Sequence, residues 1–308
     1  MERPRPIEDL RAHGHEVLTE LRELALPHAE ASNGLFVPLD VNPDIYEAQS
    51  LLTYKVSGKP QGPGMAELVA TGVEPRFPEL THKLEELEQK YGEVSRLGEH
   101  LKQGQNIILV TNHGDIKDIA YTLAAYYAKL KQHGYENFHS SLVMSKIISF
   151  LGINLGEDAD PATNILKTIC DTQYFSFPRT KSIRESKIAS RVVDTYNEGA
   201  RFAMERQLSE GSNLFAMAAS GTKDKPLSDD PQTLQLTTIG HGTAKLMMQK
   251  DSLVVPVAIW VDDKKILFEP CDIPRSVQTE DEAHAVMETI ANQLNKMPID
   301  KQFMYSPN

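Results

Sequence analysis

The rhythm of hydrophobic and polar positions changes about a third of the way along the chain. Before that point it is helical. Leu10, Val17, Leu18, Leu21 and Leu24 fall on one stripe of a helix over 7–32, and shorter helices are predicted near 43–54 and 64–72. The stretch "SGKPQGPG", 57–64, reads as a loop by composition. "FPELTHKLEELEQKYGEVSRLGEHLKQG", 77–104, is highly charged and helical in period, with a break near Gly92. The first hundred residues therefore read as all-helical.

Beyond them, short apolar runs alternate with amphipathic stretches. Strands are predicted at 106–112 ("NIILVTN"), 140–144, 173–177, 213–219 ("NLFAMAA"), 253–261 ("LVVPVAIWV") and 265–270. Helices are predicted at 116–132, 183–208, 239–250 and 280–296. This order implies an α/β fold, a mainly parallel mixed sheet flanked by helices and preceded by a small N-terminal helical bundle. The expected division is a helical domain over 1–80 and an α/β domain over 81–308.

Composition narrows the function classes. A chain of 308 residues, 40% of them hydrophobic, can bury a sizeable core. A formal net charge of −11 argues against general nucleic-acid affinity and against a broad electrostatic grip on anionic membranes, while leaving room for a local basic pocket. Cys170 and Cys271 make neither a metal-type spacing nor a disulfide framework, which points to a reducing compartment. No apolar run reaches the ~18 residues that a membrane span needs, and the start of the chain has no signal-peptide pattern. The expectation is a cytoplasmic protein, soluble or peripheral at a membrane.

In a parallel sheet, binding sites gather where strands end and helices begin, and the polar stretches of interest fall there. In "ILVTNHGDIKDIAYTL", 108–123, His113 and Asp118 follow a buried strand. Inside one continuous helix, five residues would turn them ~140° apart. If the helix starts near Asp115, His113 lies outside it and can fold back over the first turn. Asp118 can then hold one ring nitrogen and leave the other as a base. The alternative is a polar turn in which Asp115 caps the helix and Asp118 completes a capping-box-like pattern. "FSFPRTKSIR", 175–184, sets Arg179, Lys181 and Arg184 after a strand. "AASGTKDKP", 218–226, follows a strand with Ser220, Gly221 and Thr222, then Lys223 and Lys225. Small residues let backbone N–H groups face an anion, and lysines add charge. The stretch is not a phosphate-binding P-loop, because the G-x4-G-K-[ST] pattern is missing.

Taken in order, these stretches and "VVPVAIW", 254–260, resemble the glycerolipid acyltransferase superfamily, whose signature is H-x4-D, a basic stretch, a Gly-containing loop of F-P-E-G-T-R type and a V-P-V-like strand. More narrowly, the chain is similar to the soluble, chloroplast-type glycerol-3-phosphate 1-O-acyltransferases, in which the third block reads like P-S-G-G-R-D-R-P. The likeness covers about 95–263 and is architectural before that. It departs at Ala219, where the family has proline, and at Lys223 and Lys225, where it has arginines, so charge is kept but the bidentate fork is lost. "FPRTK" aligns only loosely with the family's second block.

The resemblance implies a mechanism. The phosphate of glycerol-3-phosphate would sit among Lys223, Lys225, Arg179 and Lys181, placing the primary hydroxyl near His113. His113, oriented by Asp118, would take the hydroxyl proton as the oxygen attacks an acyl thioester of acyl-carrier protein or acyl-CoA. Ser220, Gly221 and Thr222 form the loop that is a candidate source of donors for the oxyanion. Neither metal nor redox cofactor is implied, and partners reduce to the two substrates and transient contact with a membrane surface. Rival readings are an acyltransferase for another acceptor such as a lysophospholipid, a non-catalytic domain binding phospholipid or acyl carrier, and a thioesterase. A thioesterase would not need the cationic cluster.

Overall fold

The computed structural model describes residues 36–38, 53–56, 77–114, 117–145, 172–176, 201, 204–219, 224–236, 238–261, 266–270 and 276–307. The chain divides into two compact units, Met1–Pro60 with Val143–Gln207, and Gln61–Leu142 with Leu208–Asn308.

In the first unit, β1 (Phe36–Pro38) pairs antiparallel with β2 (Thr53–Val56), and β2 pairs antiparallel with β5 (Thr172–Ser176). The all-helical reading of the first hundred residues thus fails at two places. "FVP" and "TYKV" are short β-prone pieces, and three or four residues are too few to show an alternating period. The helices expected at 7–32 and 64–72, the greater part of that at 43–54, and most of that at 183–208 lie outside the described residues.

The second unit is built on the His139–Leu142 part of β4 (His139–Ser145), β6 (Asn213–Ala218), β3 (Asn106–Thr111), β9 (Ser252–Val261) and β10 (Ile266–Pro270), in that spatial order. His139–Leu142 of β4 lies parallel to β6, β6 to β3 and β3 to β9, and β10 returns antiparallel. All six residues of β3 and all six of β6 are buried. Successive side chains of a strand point to opposite faces, so both faces of the sheet are covered here. This is why the two strands read as unbroken apolar runs. Pro256 interrupts nothing. It pairs with Val110 of β3, whereas the pairing with β10 starts only at Val257, so its missing N–H falls outside that ladder.

The covering helices are α1 (Phe77–Tyr91), α2 (Glu93–Lys102), α3 (Lys117–Gln132), α4 (His241–Met247) and α5 (Glu280–Leu294). Gly92 breaks the first pair with φ of 61°, a left-handed conformation that glycine adopts without a Cβ penalty. α5 starts at a capping box, in which Thr279 Oγ1 accepts from the Glu282 N–H and Glu282 Oε2 accepts from the Thr279 N–H. A second sheet, β11 (Gln302–Tyr305), β8 (Thr233–Leu236) and β7 (Lys225–Pro226), has no counterpart in the sequence reading. Among the described residues no helix is long and apolar enough to cross a membrane.

The helical layer buries the carboxyl group of Glu93. Glu93 is 5% exposed and accepts a 3.1 Å hydrogen bond from Tyr126 Oη. Desolvation pushes its pKa above the usual carboxylate range, against the opposing pull of Tyr126 and Arg96 and with the help of Glu88 and Glu269. A raised folded-state pKa means that Glu93 favours the fold below its unfolded value, about 4.3, and that this contribution is lost as pH rises through the folded value. Glu93→Gln keeps an acceptor for Tyr126 and cannot ionise. We expect a higher melting temperature for it at neutral pH, with the gain fading toward about pH 4. A gain of equal size at both pH values would contradict this account.

Candidate functional site

The carboxyl ends of β3 and β6 come level, while β9 runs on past them to Val261. Thr111 pairs with Ala218 on one side and with Val257 on the other. Both neighbours of β3 come from much later in the chain, and sites in parallel sheets gather outside the carboxyl ends of strands. The chain leaves β3 there as Asn112, His113 and Gly114.

Asn112 fixes the exit. Its amide donates to the Ile259 carbonyl at 2.9 Å and accepts from the Ile259 N–H at 2.9 Å. A buried side chain thereby acts as one more backbone rung and extends the β3–β9 pairing past the end of the strand. The turn is therefore rigid where His113 begins.

His113 is 6% exposed and Asp118 1%. His113 precedes α3, and Asp118 stands in its first turn, where the positive end of the helix dipole favours a carboxylate. His113 thus lies outside the helix and Asp118 inside it. Gly114 lies between them in the chain. A Cβ built on it would stand 3.6 Å from Asp118 Oδ2, 3.9 Å from Trp260 Cζ3 and 4.0 Å from Asn112 Nδ2. The Asp118 carboxylate, the edge of Trp260 and the Asn112 amide thus surround one small, exposed position beside His113. Asp115, the proposed cap, lies outside the described residues.

The third block meets the first here. The Ala219 N–H donates to the Thr111 carbonyl at 3.2 Å. Five residues later, Asp224 closes on His113 twice. Its N–H donates to the His113 carbonyl at 2.8 Å, and its Oδ2 accepts from the His113 N–H at 2.9 Å. Lys225 follows as the first residue of β7 and is exposed, paired in register with Gln235 of β8. Ser220, Gly221, Thr222 and Lys223 lie outside the described residues. Arg179, Lys181 and Arg184 also lie outside the described residues.

Trp260 borders the same place. It is the sole tryptophan of the chain and packs edge-on against Phe303 of β11, with ring centroids 5.6 Å apart. Phe303 is itself held by Asn295, whose amide accepts from the Phe303 N–H at 2.8 Å and donates to its carbonyl at 2.7 Å. The small sheet therefore supports one wall of the site through Trp260. Asn112, Asp224 and Trp260 were not singled out by sequence reasoning. Asp224 sat unremarked between two lysines, and the one available signal for Trp260 was its rarity.

Among the described residues no three His, Cys, Asp or Glu side chains group as a metal site requires. No known family model matches the chain, and no curated protein matches its sequence.

Proposed function

We propose that the protein is a glycerol-3-phosphate 1-O-acyltransferase, moving a fatty acyl group from a thioester of acyl-carrier protein or coenzyme A to the primary hydroxyl of glycerol-3-phosphate. The observation that carries this reading is the double hydrogen bond between Asp224 and His113. It joins Asp224, which stands between Lys223 and Lys225 in the sequence, to the main chain of the residue proposed as base. A phosphate gripped by those lysines would present its glycerol hydroxyl to the histidine. The H-x4-D spacing, the buried Asp118 and the placement of His113 before α3 support the same reading.

In the reaction, His113 takes the hydroxyl proton while the oxygen attacks the thioester carbonyl. The new C–O bond forms, the negative charge passes to the carbonyl oxygen, and collapse breaks the C–S bond. The proton on His113 goes to the departing thiolate, so the base is restored each cycle. Asp118 stabilises the imidazolium between the two transfers. Ser220, Gly221 and Thr222 are the proposed oxyanion loop, and Arg179 and Lys181 complete the phosphate site.

The test is to incubate purified protein with both donor types and a panel of acceptors, including glycerol-3-phosphate, lysophosphatidate and glycerol, and to identify products by mass. Lysophosphatidate formed from glycerol-3-phosphate is the expected product. Acylation of a lysophospholipid alone would move the assignment to a sister activity.

A further inference from the structure

We propose that Asp224 is a positioning residue, a clamp on the main chain of His113 that ties the turn carrying the base to the chain entering β7. The inference rests on the acyltransferase reading for its kinetic consequence, not for its structural one. Asp224 and His113 are 111 residues apart in sequence, and they exchange two hydrogen bonds of 2.8 and 2.9 Å, one from backbone to backbone and one from backbone to carboxylate. The partners of this pair are the two polar backbone groups of His113 itself. His113 lies between a strand end and a helix start, where neither ladder nor helix supplies those partners. Such groups need partners when buried, and Asp224 satisfies both.

Two anchors therefore bracket the turn. Asn112 is bonded to β9 and His113 to Asp224. With its backbone held on both sides, the imidazole is restricted to rotation about its own side-chain bonds. Displacing a reacting group by about 1 Å costs on the order of 100-fold in rate, so loss of the clamp should register in turnover. Asp224 needs no charge for this task, since the oxygen it offers need only accept. That separates the proposal from a role as counter-ion to the neighbouring lysines.

The experiment compares Asp224→Ala and Asp224→Asn with the wild type in the full chain, reading hydrogen exchange at the His113 amide and steady-state kinetics. In the wild type the His113 amide should be protected. Asp224→Ala should expose it and lower kcat by roughly 10-fold, with KM for the acyl donor unchanged. Asp224→Asn, whose amide oxygen can accept the same bond, should retain the protection and most of the turnover. A fast-exchanging His113 amide in the wild type would overturn the clamp without any variant, as would unchanged protection in Asp224→Ala. Equal damage from Asn and Ala would mean that the charge matters instead. Wild-type protein without acyl transfer would defeat the functional reading while leaving the exchange result to decide the clamp.

Discussion

His113→Ala should lose nearly all turnover, on the order of 10²- to 10⁴-fold, the usual worth of positioned proton transfer. The fold should survive. His113 is tied into the site by its backbone N–H and carbonyl, which alanine also possesses, so both bonds to Asp224 remain available. Acceptor binding should survive as well, because the lysines are untouched. Trp260, the sole tryptophan and a neighbour of Gly114, offers a fluorescence readout for that binding. Asp118→Asn should cost less than His113→Ala, since it removes an orienting charge and leaves the base. The double variant should be scarcely worse than His113→Ala, because residues acting as one unit are not additive. If the pair were merely a polar turn, the pattern would invert. Asp118→Asn would then lower stability by about 1 kcal/mol or less, as losing an ordinary cap does, and His113→Ala would leave turnover near wild type. Measuring turnover and melting temperature on the same three variants separates these accounts.

Replacing Lys223 or Lys225 by a neutral residue should raise KM for glycerol-3-phosphate by roughly 10- to 100-fold and leave KM for the acyl donor nearly unchanged. A charge-assisted contact with phosphate is worth roughly 1.5–3 kcal/mol, which sets that range. Lys225 is exposed at the start of β7 and next in the chain to the residue that holds His113. Equal effects on both substrates would show that this segment is not the phosphate site. Lys→Arg at either position is informative in the other direction. The guanidinium can grip phosphate through two parallel bonds, so the substitution should preserve or tighten acceptor binding.

Much of the scaffold was legible because its signals are local. β3 and β6 announce themselves as short apolar runs, since a strand buried on both faces has no polar side to show. The break between α1 and α2 was readable at Gly92, where a positive φ favours a residue without Cβ. The small sheet was not. β7 has two residues, one of them a lysine and the other a proline, and β8 and β11 have four each, too short for alternation to stand out. The candidate site divides along the same line. The H-x4-D spacing and the lysines are sequence features. The Asp224 clamp joins residues 111 positions apart, and the approach of Trp260 to Gly114 depends on how β9 ends relative to β3. Contacts of that kind are properties of the folded arrangement, and no spacing in the chain encodes them.

The central claim, that acyl groups pass to a phosphorylated glycerol under the action of His113, is tested most directly by following thiol release from an acyl thioester with and without glycerol-3-phosphate. The account predicts that release by the wild-type protein requires the acceptor and matches lysophosphatidate formation mole for mole, and that His113→Ala abolishes both together. Thiol release that proceeds equally well without glycerol-3-phosphate and yields free fatty acid would contradict it.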